Sequence, residues 1–121
     1  MTRSKSFDAA RLDAREMRER LLQLPEGEAL NGELLVRSET LYRAADGAVA
    51  GGIWEAEQGL ARFEFLEYGE LVYLIEGHIV AMSDEGEETI LSPGVCASFP
   101  RGWVGVWDIT VRSRKFAVSF R

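Results

Sequence analysis

Residues 69–78 read G-E-L-V-Y-L-I-E-G-H and residues 94–107 read G-V-C-A-S-F-P-R-G-W-V-G-V-W. Neither stretch places apolar residues at helical spacing. Both are short runs rich in Val, Ile, Leu, Tyr and Trp, closed off by Gly or Pro, which is the signature of strands between turns. Outward from them the pattern repeats. Strands are predicted near Leu34 to Arg37, Leu41 to Ala44, Val49 to Glu55, Leu60 to Leu66, Glu70 to Ile75, Ile79 to Ser83, Glu88 to Leu91, Val95 to Phe99, Val104 to Ile109 and Lys115 to Phe120. The punctuation between them is turn chemistry: Asp46-Gly47, Glu76-Gly77, Asp84-Glu85-Gly86 and Ser92-Pro93-Gly94 tolerate positive φ or preset a turn. Strands this short and this evenly spaced require a sandwich or a closed barrel.

The first 32 residues read differently. Ser6 or Asp8 is placed to cap a helix reaching to about Gln23, with Ala9, Leu12, Leu21 and Leu22 near one side and Arg11, Arg15, Arg18, Glu19 and Arg20 around it. Pro25, Gly27, Asn31 and Gly32 then break the pattern. The expected organisation is a helical segment and linker over 1–32 and an all-β barrel over 33–121.

Composition bounds the function. The 121 residues suit one domain, and 46% hydrophobic with 28% charged residues is ordinary for a globular chain. Fourteen basic against twenty acidic residues give a net charge of -6, which repels phosphate backbones and disfavours nucleic acid as a partner. No apolar segment approaches the roughly 20 residues that span a bilayer, so no membrane partner is expected. A single cysteine, Cys96, and an N-terminus without an apolar signal run point to a reducing, cytoplasmic setting. The charged cluster Arg112, Arg114 and Lys115 lies in an alternating run and is expected on a solvated face.

In order, G-G-I-W-E-A-E-Q-G-L-A-R-F-E-F from Gly51, then G-E-L-V-Y-L-I-E-G-H, D-E-G-E-E-T-I-L-S-P-G, F-P-R-G-W-V-G-V-W and R-K-F resemble the small cupins of the (S)-ureidoglycine aminohydrolase cupin family. The resemblance implies an RmlC-like double-stranded β-helix, or jelly-roll barrel, around a ligand pocket. Glu70 and Gly77 reproduce the end of the first cupin motif, and Gly94, Pro100 and Gly102 the scaffold of the second. Val95 stands where the family usually has Asp.

The resemblance also implies a metal site, which these residues fill poorly. The two His positions of the first motif fall on Phe63 and Phe65, or on Glu64 and Leu66, and the His of the second falls on Gly105. Only Glu70 is retained, so no tightly bound metal or other cofactor is expected. If Glu64 pointed inward, Glu64 and Glu70 would offer a weak site for a hard cation. Glu70 then has two readings: a pocket carboxyl acting as ligand anchor or acid–base group, or a carboxylate satisfied by a neighbouring Arg or backbone N–H. Trp103, Gly105 and Trp107 alternate onto one face, where they either line a pocket with a slot at Gly105 or fill the barrel. Trp54 carries the same alternative. His78 follows the motif Gly without a mapped partner and is read as structural; Cys96 is read as a small hydrophobe with only Arg101 near in sequence.

The function expected is binding of a small organic metabolite by Trp54, Phe63, Glu64, Phe65, Glu70, Trp103, Gly105 and Trp107. The resemblance offers a metal-dependent aminohydrolase or lyase as the alternative, and a filled, regulatory barrel is a third. A related acetate kinase of ethanolamine utilisation implies that such barrels act on phosphorylated metabolites, but the chain has no phosphate loop. A homodimer is expected from exposed strand edges and family habit, with Leu34 to Ala44 taking part.

Overall fold

The computed structural model describes residues 2–121. Nine strands form the fold: β1 (Arg18–Leu21), β2 (Glu28–Ala29), β3 (Leu35–Arg43), β4 (Val49–Ala56), β5 (Gly59–Glu64), β6 (Gly69–Ser83), β7 (Glu88–Leu91), β8 (Cys96–Phe99) and β9 (Val104–Phe120). The organising feature is a long antiparallel ribbon of β6 and β9, paired from Gly69↔Phe120 to Ser83↔Gly105. The ribbon bends midway. Register shifts fall between Leu74 and Ile79, and Gly77 adopts φ +102 with Ser113 so close that a Cβ would meet its Oγ at 2.2 Å. Only Gly allows that approach at that φ.

The bend divides one curled sheet into two facing halves. In the first, β9 beyond the bend pairs with β4, β4 with β3 and β3 with β1, while the start of β6 pairs with β8. In the second, β5 pairs with the start of β9, β2 with β5, and β7 with the end of β6. This is the all-β architecture expected from the strand pattern, and the jelly roll that the resemblance implies. Pairs of predicted strands are in fact single ones: Glu70 to Ser83 and Val104 to Phe120 run through the bend as bulged strands, and β3 joins two expected runs. Bulges re-aim a strand without ending its pairing.

The core lies between the halves. Val36, Trp54, Ala56, Phe63, Phe65, Val72, Leu74, Ile79, Phe99, Trp107 and Ile109 are buried there in one cluster. At one end aromatic rings close the space. Phe63 and Phe99 each lie 4.9 Å from Trp107, and Phe99 lies 5.0 Å from Trp103, centroid to centroid.

The expected N-terminal helix does not form. Ala14–Glu16 make a single 3-10 turn capped by Asp13, and Arg18–Leu21 pair with Leu35–Ser38 as a strand. Glu28–Ala29 likewise join the sheet through Arg62 and Ala61, so the segment expected as helix and linker supplies two strands. Its apolar residues are too few to make a broad helical stripe, and edge pairing satisfies the backbone instead. Upstream, Lys5 donates to the Thr40 carbonyl at 2.8 Å, and Arg114 donates to the Ala9 carbonyl at 3.0 Å.

That strap explains a second correction. Arg114 and Lys115 are buried and only Arg112 is exposed. Adjacent residues of a strand face opposite ways. Arg114 turns outward under the strap and pairs with buried Glu55 at 3.1 Å, while Lys115 turns into the barrel.

Candidate functional site

A cavity of about 960 Å³ opens into the barrel beside the aromatic plug. Trp54, Phe63, Phe65, Tyr68, Glu70 and Lys115 line it, and Arg20, Glu26 and Ser38 stand on its wall. Its central feature is an ion pair. Lys115 and Glu70 are side by side inside the barrel, their side chains 5% and 13% exposed, with Lys115 Nζ bonded to Glu70 Oε1. The register explains how they meet. Lys115 lies opposite Leu74 and Glu70 opposite Ser119, so Lys115 reaches diagonally past Ala117, whose small side chain leaves room on the same face. Its ammonium lies 4.6 Å from the Trp54 ring centroid and 4.5 Å from that of Trp107. One indole comes from each half of the barrel. Stacked against two ring faces, the desolvated charge gains cation–π attraction.

A second pair guards the wall. Arg20 Nε donates to Glu26 Oε1 at 2.9 Å, Arg20 Nη1 to Ser38 Oγ at 2.8 Å, and Trp54 Nε1 to Glu26 Oε2 at 3.2 Å. Trp54 is thereby oriented by the N-terminal segment. Tyr68 stands between the carboxylates; burial pushes its phenol up from the ordinary value, and Glu70 and Glu26 add to the shift. Trp107 Nε1 is buried without an acceptor among the described residues.

The predicted residues divide. Trp54, Phe63, Phe65 and Glu70 meet at the cavity. Glu64 does not: it points outward beside Arg62, 3.5 Å away, because Phe63 and Phe65 take the inward positions of their strand and Glu64 the outward one. Leu66 is also exposed. Trp107 is fully buried in the plug and Trp103 packs partly buried at its edge. Gly105 is no slot. A Cβ there would meet the Met82 carbonyl oxygen at 2.2 Å and the Trp103 ring at 2.7 Å, so the glycine permits strand contact and leaves no space for a ligand group.

His78 sits at the ribbon bend, with Nδ1 2.9 Å from Thr110 Oγ1, while that hydroxyl donates to the His78 carbonyl at 3.1 Å. A hydroxyl has one proton, so the ring N–H donates and the pair is a structural latch. Cys96 is exposed on the outer face, not packed as a core hydrophobe, and Arg101 is engaged with the Leu66 carbonyl at 3.2 Å.

A metal does not fit this donor set. The positions that the cupin resemblance gives to imidazoles fall on Phe63 and Phe65, or on Glu64 and Leu66, and on Gly105, and the one retained carboxylate is bonded to an ammonium. Among the described residues no three His, Cys, Asp or Glu side chains come together as a metal site. Sequence reasoning missed Lys115, Tyr68, Arg20 and Glu26. For Lys115 alternation alone gives no clear signal: counted from Gly105, odd positions are buried at Trp107 and Ile109, but Val111 is exposed at the bend before Ser113 and Lys115 are buried again.

Comparison with known proteins agrees with the fold. The EutQ-like cupin domain matches residues 43–117, more than half of the chain. No curated protein matches. Among solved structures, the EutQ protein of Clostridium difficile superposes with TM-score 0.62 at 20% identity, covering 72% of this chain and 63% of that one. This chain thus spans less than two thirds of that relative. A Salmonella typhimurium protein described as ethanolamine utilization protein Q gives TM-score 0.62 at 16% identity, over 86% and 96% of the two chains. Ectoine synthase from P. lautus gives 0.64 at 20%, over 70% and 63%. At these identities the neighbours share the fold alone. No described helix is long and apolar enough to cross a membrane. The cupin resemblance read from the sequence is thus shown at the level of one family: this chain belongs to the EutQ-like cupin domain family.

Proposed function

We propose that the chain binds a small organic metabolite in the cavity between its two half-sheets, without a resident transition metal. The observation that carries this reading is the Lys115–Glu70 pair on the wall of a cavity that Trp54, Phe63 and Phe65 also line. A cavity of several hundred Å³ that combines aromatic walls with fixed polar groups suits a small molecule. Five basic and four acidic side chains line it, against fourteen and twenty in the whole chain. The cavity is therefore far less acidic than the surface around it, which suits neutral or anionic ligands entering a protein of net negative charge. Glu70 serves as an anchor in this reading. The test is a panel of organic acids, amides and amines followed by thermal denaturation and by the fluorescence of Trp54 and Trp107. A compound that raises the melting temperature and shifts the emission supports the reading; a panel that moves neither contradicts it.

A second reading concerns self-association, and the outer face of the first half-sheet favours it. Leu71 and Tyr73 are 50% and 44% exposed there, beside Cys96, Phe116 and Val118, around a shallow groove of about 440 Å³. The groove carries no ionisable acid or base other than the phenol and thiol. A second copy related by a two-fold axis would therefore set no carboxylate or ammonium against its like. The dimer would use this face and not β3, whose residues 35–38 are already paired on both edges.

A further inference from the structure

The Lys115 ammonium has three N–H donors, and its contact with Glu70 uses one. Its remaining close neighbours are the two indole faces, which attract charge but accept no directed bond as strong as one to oxygen. Glu70 Oε2 receives no hydrogen bond from any described residue. Both residues line the cavity. The wall therefore presents a donor beside an acceptor, on a pair whose formal charges cancel. Around it stand Trp54, Phe63 and Phe65, with the Trp54 and Phe63 rings edge to face, 6.1 Å apart at 73°.

We propose, on the reading that the cavity holds a small organic molecule, that Lys115 and Glu70 form a recognition couple for a carboxamide edge on a flat apolar body. A carboxamide places a carbonyl acceptor next to an N–H donor, which complements the couple without adding charge. A ligand anion or cation seated on the couple would leave one unit of net charge at its buried end, where the Lys115 and Glu70 side chains are almost wholly out of solvent and two indoles pack on the ammonium. Such a charge is costly to desolvate unless it is paired, and the second couple on the wall, Arg20 with Glu26, is already neutralised internally. The rings supply stacking surfaces for the body of the ligand.

Three probes of one shape separate the possibilities: benzamide, benzoate and benzylamine, titrated into the wild-type protein by calorimetry and tryptophan fluorescence. Benzamide binds tightest, by about tenfold or more, the worth of one well-made hydrogen bond to a charged group. Glu70→Gln leaves the ammonium without its counter-charge, and the preference moves to benzoate. Lys115→Gln leaves the carboxylate alone, and the preference moves to benzylamine. If Lys115→Gln does not fold, Glu70→Gln carries the inversion by itself. A wild-type preference for either ion, or one order of affinity in both variants, overturns the couple. If no probe binds while another compound of the panel does, the couple is wrong and the cavity reading stands. If neither probes nor panel bind, both are wrong.

Discussion

Lys115 and Glu70 are bonded across adjacent strands of the β6–β9 ribbon, four residues apart in register, with their shared charge held between two indoles. Removing one partner of a buried pair leaves an uncompensated charge, whereas replacing both by apolar residues of similar volume is often neutral. Lys115→Met is expected to destabilise the protein by about 3 to 5 kcal/mol. The double variant Lys115→Met, Glu70→Leu should recover most of the loss. Thermal and denaturant melts of the two proteins check it, and a double variant no more stable than the single one contradicts it.

Gly105 is expected to tolerate no side chain. A methyl group would stand 2.2 Å from the Met82 carbonyl oxygen, a backbone atom fixed by the ribbon pairing. Gly105→Ala should cost at least about 1 to 3 kcal/mol, the usual range for overpacking. A variant as stable as the wild type would show that the strand pair can separate there.

The buried Tyr68 phenol should ionise above the range of free tyrosine, because burial and the carboxylates Glu70 and Glu26 disfavour the phenolate. Its folded value lies above the unfolded one. The contribution to stability is therefore complete below the unfolded value near pH ~10 and is lost as pH rises through the folded value. Ultraviolet titration should show a late-ionising phenol that Tyr68→Phe removes. An unchanged titration curve in that variant would contradict the assignment.

Much of the fold was legible because alternation and turn residues survive in single strands. The Gly and Pro punctuation around Asp46-Gly47, Glu76-Gly77 and Pro93-Gly94 marks real turns or bends in the chain. Two features were not legible for a common reason: both depend on pairing between residues far apart in sequence. Arg18–Leu21 look helical alone but complete the edge of β3, and Lys115 looks solvated until the strand is read through the bend at Ser113. The site was legible where motif position and strand parity agree, as at Phe63, Phe65 and Glu70. It was misread at Glu64, whose parity opposes that of the residues beside it, and at Gly105, where a missing side chain suggested space that the neighbouring strand fills.

The exposed face of Leu71, Tyr73, Phe116 and Val118 is expected to hold two copies together. Val118→Glu would set two carboxylates against each other in an isologous contact, so light scattering should report a dimer for the wild type and a monomer for the variant. A monomeric wild type at micromolar concentration contradicts it.

The Lys115 ammonium occupies the only retained motif carboxylate, and Phe63 with Phe65, or Glu64 with Leu66, and Gly105 stand where the resemblance puts nitrogen ligands, so on the proposed reading no transition metal resides here. Elemental analysis of protein purified without chelators tests this most directly. The account predicts clearly less than one equivalent of manganese, iron, nickel or zinc per chain. One equivalent of any of them, retained through gel filtration, would contradict it.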